Sequence, residues 1–360
     1  MLYSSSMTQS GTHDLLMQTI WCAAGFIACV ITTTVDYKWL KKLAWPIYIL
    51  AILALVAVFV PHIGRASHGA HRWIAKFGFT FQPSELGKLA LIIALAWYCD
   101  RFQRQMQTFK TGIIFSGAVV AGILGLIFIE PDRGTTILLA AVTGAMLIIA
   151  GVRFQHLAVA ILGGVAVLAA SLLHDSMRQN RISAWLHPQD HLNGAALQAQ
   201  QAMIGLGSGG WFGVGLGNGV RKFGYLPEIH TDFILANIGE ELGLVATMLI
   251  VLTFVVIAIC GMRIAVAARE PFGAFLAAGI TFLISLQAAI NIGVVTSALP
   301  NKGLPLPFIS YGGSNLLVML TCVGILFSVA RHAPAREKVS KTDEGADEIS
   351  NNPFAARATT

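Results

Sequence analysis

Apolar and polar positions in this chain of 360 residues do not alternate; they come in blocks. Nine apolar runs, at about 16–35, 43–61, 83–99, 111–129, 134–151, 155–173, 232–260, 272–296 and 312–331, are separated by breaks rich in charge, proline or glycine. A helix of about 20 apolar residues crosses a bilayer and satisfies its own backbone, whereas barrel strands need strict alternation. The predicted fold class is therefore all-α, a polytopic helical membrane protein with nine transmembrane helices. One membrane domain is expected over 1–332, with a large extracytoplasmic loop at 174–231. Residues 333–360 are polar and mixed in charge, which predicts a disordered cytoplasmic tail.

Charge sets the orientation. Only 12% of residues are charged, about half the fraction usual in a soluble domain, and the net charge of +6 is scattered in the breaks. That pattern excludes a nucleic-acid partner and fits cytoplasmic membrane loops. If the loop after the first run is cytoplasmic, that side holds Lys38, Lys41, Lys42, Arg101, Arg104, Lys110, Arg153, Arg263, Arg269, Arg331, Arg336 and Lys338. The opposite short loops hold Arg65, Arg72, Lys76, Arg133 and Lys302. Such a bias puts the N-terminus and residues 174–231 outside the cytoplasm.

Against this background the acids stand out. In YLPEIHTDFILANIGEELG (225–243), Asp232 heads the seventh run, with Glu240 and Glu241 two turns further in. Thr231 or Asp232 suits an N-cap, and an anion facing water also suits a general base. Glu240 and Glu241 are expected to face protein, because an ionised acid in a bilayer is costly. Glu85 and Lys88 in QPSELGKLAL are i,i+3 neighbours, either a structural ion pair or the wall of a polar cavity. Arg72 with Trp73 reads as an interface anchor, and Glu130 and Asp132 in EPDRG as interface and turn residues that the adjacent Arg133 could neutralise.

GLGSGGWFGVGLGNG (205–219) has GxGxxG-like spacing without the strand or the GK[ST] of a nucleotide site, so a flexible or re-entrant segment at the membrane is expected. LPNKGLPLPFISYGGSN (299–315) predicts a structured loop entering a cavity. Five cysteines (Cys22, Cys29, Cys99, Cys260, Cys322) lie in apolar runs and read as small apolar side chains. His187, Asp190 and His191 match no standard zinc spacing, and no metal is expected there.

The stretches VDYKWLKKLAWPIY, GAHRWI, FQPSELGKLAL, EPDRGTT, RISAWLHPQD, LQAQQAMIGLGSGGWFGVGLGNG, YLPEIHTDFILANIGEELG and LPNKGLPLPFISYGGSN, in this order over nearly all of 18–331, resemble the SEDS family (shape, elongation, division and sporulation), most closely its FtsW branch of cell-division glycosyltransferases. The family has ten helices, so this chain, starting at MLYSSSM, resembles the fold lacking most of the first. LQAQQ also departs from the family in having no aromatic before its first glutamine. The resemblance implies a peptidoglycan glycosyltransferase that polymerises lipid II on the outer face of the bacterial inner membrane at the division septum. It implies Asp232 as the catalytic base for inverting displacement of undecaprenyl pyrophosphate. Substrate-binding candidates are Arg72, Glu85, Lys88, Gln198, Gln201, Glu228, Lys302 and Ser310. A divalent cation, magnesium or manganese, is compatible, although the sequence offers no dedicated cage. Implied partners are a class B penicillin-binding protein and other divisome proteins. A lipid II flippase and a RodA-type elongation polymerase are the alternative readings.

Overall fold

The computed structural model describes residues 12–60, 64–67, 70–76, 79–173, 176–187, 197–220 and 231–333. Glu228, Asp190, His191 and the expected tail beyond residue 333 lie outside these. The helices, in chain order, are α1 (Thr12–Thr34), α2 (Lys38–Ala57), α3 (Pro83–Arg101), α4 (Lys110–Ile129), α5 (Arg133–Ile149), α6 (Phe154–Leu173), α7 (Ser176–Leu186), α8 (Leu197–Ser208), α9 (Ile234–Ala267), α10 (Pro271–Val295) and α11 (Gly313–Arg331). All nine predicted runs are helical. Seven are long and apolar enough to cross a membrane; α5 is shorter, and α3 carries Glu85, Lys88, Asp100 and Arg101.

The reason α3 tolerates charge is its position. It packs against α2, α4, α5, α10 and α11, and nearly every residue from Pro83 to Cys99 is buried. A helix surrounded by protein needs no lipid-facing stripe, so it can carry polar groups wherever a neighbour completes them. α6 is the opposite case: among the described residues it packs mainly on α7 and the start of α4, and most of its side chains face outward. α1 lies along α11, where Gly324 admits the Cys29 backbone and Thr32 so closely that a Cβ would clash.

One end of the bundle gathers the α1–α2 turn, the end of α3, the α9–α10 turn and the end of α11. Lys38 pairs with Glu270 and Lys41 with Asp100, each at 2.7 Å. Tyr37 stacks on Phe272, and its N–H donates to Ser328 Oγ at 3.1 Å. This is the end with the surplus of Lys and Arg. Helix starts follow local rules: Pro83 and Pro271 occupy first-turn positions, and Asp132 caps α5 by accepting from Thr135 N at 3.1 Å.

The opposite end departs from the sequence reading in two places. A three-stranded antiparallel sheet, β1 (Gly64–Ser67), β2 (Ala70–Lys76) and β3 (Phe79–Phe81), precedes α3, so the fold is helical with one small sheet rather than purely helical. Strands this short carry too little alternation to stand out beside membrane runs. The segment 174–231, read as a loop, also contains α7 and α8. At α9 the cap position falls on Phe233, with no side-chain capping bond, so neither Thr231 nor Asp232 caps that helix as expected.

Candidate functional site

Asp232 stands in a turn just before α9, half-buried, against the 299–312 loop. The approach is close: a Cβ built on Gly303 would lie 2.8 Å from Asp232 Oδ2. Only glycine lets the carboxylate rest there. The backbone on either side is clamped from two elements. Asn291 Nδ2, on α10, donates to Asp232 O and to Leu304 O, both at 2.8 Å. Ser310 Oγ donates to Thr231 O at 2.5 Å and accepts from Leu306 N at 2.8 Å. The loop is further tied to α1, where Gln18 Nε2 donates to Ser310 O at 3.4 Å, and to α8, where Asn301 Nδ2 donates to Gln198 Oε1 at 2.6 Å.

Lys302 adjoins Gly303 and is half-buried, and burial lowers its pKa. It has no anionic partner among the described residues. A cation in that state is stabilised by any anion that reaches it.

Behind the loop runs a buried polar chain. Gln287 Nε2 donates to Pro305 O at 2.9 Å, and its Oε1 accepts from Lys88 Nζ at 2.9 Å. Lys88 pairs with Glu85 at 2.8 Å, and Glu85 Oε2 also accepts from Asn315 Nδ2 at 2.9 Å. Lys88 is 0% exposed and Glu85 3%, so of the two readings of this pair the geometry matches the structural one. The pair supports the loop from beneath.

Arg72 belongs to a neighbouring corner. From β2 it donates to the carbonyls of Glu130 at 3.3 Å and Pro131 at 2.6 Å. Glu130 is 1% exposed, and neither carboxylate oxygen has a hydrogen-bond partner among the described residues. Burial, and after it Asp132, raises the Glu130 pKa to about 8, with Arg72 opposing. Glu130 does stand in a turn, as expected, but buried and not exposed at an interface. Gly134, at the start of α5, packs on Leu304, which connects this corner to the 299–312 loop.

Glu240 and Glu241 are buried, as expected, and backbone groups of the glycine-rich segment are among their partners. Val220 N donates to Glu240 Oε1 at 2.9 Å and Gly217 N to Glu241 Oε2 at 3.1 Å. α9 breaks at Gly243, whose φ of 79° opens its ladder. The segment closes the gap: Val214 N and Gly215 N donate to the carbonyls of Glu240 and Glu241, while Leu244 N and Val245 N donate to those of Gly210 and Trp211. Gly213, at φ 79°, lies so near Glu241 O that a Cβ would come within 2.2 Å. The glycines serve close backbone approach, not a phosphate.

The structure thus gathers Asp232, Gln198, Lys302 and Ser310 around one loop, with Glu85 and Lys88 beneath it and Arg72 at the adjoining corner. Gln201 is half-buried on α8. His187 is exposed after α7, and the five cysteines are free. Sequence reasoning missed Gln18, Gln287, Asn291 and Asn315. The signal for two of them was available: Gln287 and Asn291, four residues apart, share one face of an otherwise apolar helix.

The family model described as cell cycle protein, FtsW/RodA/SpoVE, matches residues 1–335. A probable peptidoglycan glycosyltransferase FtsW of Trichlorobacter lovleyi is 40% identical over 336 residues, covering 92% of this chain and 88% of that one. Stage V sporulation protein E of Bacillus subtilis is 37% identical over 316 residues, covering 88% and 86%. Among solved structures, one that concerns the structural coordination of polymerization and crosslinking by a peptidoglycan synthase complex aligns with TM-score 0.74 at 23% identity, over 89% of this chain and 90% of that one. The rod shape determining protein RodA of Thermus thermophilus aligns with TM-score 0.69 at 23% identity, over 93% of each.

Proposed function

The chain belongs to the FtsW, RodA and SpoVE family of cell cycle proteins, and from that premise we propose that it is a peptidoglycan glycosyltransferase polymerising lipid II during cell division. The observation that carries the mechanism is that one loop brings Gly303 against the Asp232 carboxylate and, at the adjacent position, carries Lys302, a half-buried cation with no ion pair among the described residues.

In this reading Asp232 takes the proton from the 4-hydroxyl of the acceptor GlcNAc as that oxygen bonds to the anomeric carbon of the donor MurNAc. The carbon–oxygen bond to undecaprenyl pyrophosphate breaks, and α becomes β at that carbon. Lys302 meets the negative charge that develops on the leaving group, the type of electrostatic help worth most in a site that excludes water. Asn291 and Ser310 hold the backbone around the base, and Gln198 helps fix the loop. Arg72 at its corner and Gln201 on α8 contact the polar part of the substrate, as does Glu228. Among the described residues no three His, Cys, Asp or Glu side chains converge; a magnesium or manganese ion, if bound, would share the charge of the pyrophosphate.

The partner in this reading is a class B penicillin-binding protein acting beside it in the inner membrane at the septum, with the site on the extracytoplasmic face. The likeness of this fold to a chain from a peptidoglycan synthase complex, in which polymerization and crosslinking are coordinated, supports the pairing. The test is glycan synthesis from purified lipid II by the chain with its transpeptidase partner. Asp232→Asn should lower turnover by roughly 10²–10⁴, the range of general-base catalysis, while thermal stability and lipid II binding persist. Wild-type polymerisation by that variant would overturn the assignment. A fluorescent fusion along the lateral wall instead of the septum would move the chain to elongation.

A further inference from the structure

The glycine-rich segment carries large apolar side chains that no described element covers. Trp211 is 69% exposed, Phe212 83% and Leu216 67%, all within six residues of a segment bonded to α9. In water such a patch is a liability, so its surroundings need to be identified.

The bonds around the α9 break fix its level. From Leu244 to Met262, α9 has 19 residues without a charged side chain before Arg263. At ~1.5 Å per residue that is about 28 Å, close to the ~30 Å of a bilayer's hydrocarbon. Leu244 and Val245 therefore mark the outer edge of the hydrocarbon, and their N–H groups are the ones that donate to Gly210 and Trp211. Trp211 and Phe212 are held at that edge, where aromatic rings favour the border between chains and head groups.

The backbone meets the same demand. Non-helical chain at this depth needs its polar groups satisfied by protein. Here Glu240 and Glu241 supply both their carbonyls and their carboxylates, and the segment supplies carbonyls to the two N–H groups freed by the kink. The exposed side chains also continue the stripe of Leu244, Met248, Leu249 and Leu252, which faces outward along the same helix.

We propose that residues 209–220 form a shallow wedge at the outer membrane interface, with Trp211, Phe212 and Leu216 inserted among the phospholipid chains just below the head groups. The partner is bulk outer-leaflet phospholipid, reached through continuity with the lipid-facing side of α9. This rests on the fold and on membrane insertion, not on the proposed catalysis.

The full-length protein in phospholipid vesicles tests it. Tryptophan emission of the wild type minus that of Trp211→Phe isolates Trp211 with minimal disturbance of packing. That difference signal should be quenched more by lipids brominated near the head group than by lipids brominated near the chain end, and little by aqueous iodide. Strong iodide quenching with no effect of brominated lipid would overturn the wedge, as would stronger quenching from the chain ends. Relief of quenching by a few mole per cent of a polyprenyl phosphate would also overturn it, because the surface would then hold an isoprenoid and not bulk lipid.

Discussion

Asp232 and the Glu240–Glu241 pair are carboxylates at the same end of the same helix, yet their surroundings differ completely. Glu240 and Glu241 are buried and hold backbone N–H groups of residues 217 and 220. Asp232 is only half-buried, and the clamps from Asn291 and Ser310 grip the carbonyls of Asp232 and Thr231. One region uses acids to close a broken helix. The other fixes the backbone and sets the acid against a loop whose lysine has no anionic partner among the described residues. An acid's role is decided by what completes its hydrogen bonds, not by its place in the sequence.

Substitutions in each region test this contrast. The largest effect on stability is expected beneath the 299–312 loop, where Lys88→Met leaves Glu85 buried without its cation. Loss of one member of a buried pair costs about 3–5 kcal/mol, and Glu85→Gln in the same chain should recover much of it. Chemical unfolding in detergent reads both. Gly213→Ala attacks the other region, adding a Cβ at positive φ against a backbone oxygen; a loss of about 2–4 kcal/mol is expected, from left-handed strain plus overpacking. Gly207→Ala, with open space around its Cβ position, is the control and should stay within about 1 kcal/mol of wild type.

Glu240→Gln comes next. It keeps an acceptor for Val220 N but loses the charge, so about 1 kcal/mol of stability should go, as when a charge-assisted bond becomes a neutral one. Polymerisation should survive, unlike in Asp232→Asn. Equal loss of activity in both variants would erase the distinction between the regions.

The remaining effect is a slope with pH, spread across several pH units and not a fixed loss. The Glu130 pKa is raised from 4.5 to about 8 in the folded chain, so the folded state keeps a proton that the unfolded state releases between those values. Stability from this group is therefore present at low pH and lost as pH climbs through that window. Glu130→Gln imitates the protonated form and should flatten the fall in melting temperature from about pH 5 to about pH 8.

Much of this was legible in the chain itself. The nine helical runs follow from the length and apolarity a bilayer demands, and the surplus of Lys and Arg falls at one end of the bundle. The burial of Glu240 and Glu241 follows from the cost of a charge in lipid. Less legible were the small sheet of β1 to β3, because short strands carry little periodicity, and the buried state of Glu130. Its neighbours in EPDRG suggested a turn, and the burial comes from Arg72 and β2, distant in sequence.

Which segments are apolar enough to enter a membrane can be read along the chain, because hydropathy and helix length are local properties. So can the chemical groups: an acid at a helix mouth, a lysine between prolines, a run of glycines. Their partners come from folding, since Asn291 meets Asp232 across 59 positions and Asn315 meets Glu85 across 230. Hydrogen bonds between helices depend on packing angles and close approaches that no single run encodes. For that reason the partners of each charge, and hence the division between architecture and chemistry, emerged only in three dimensions.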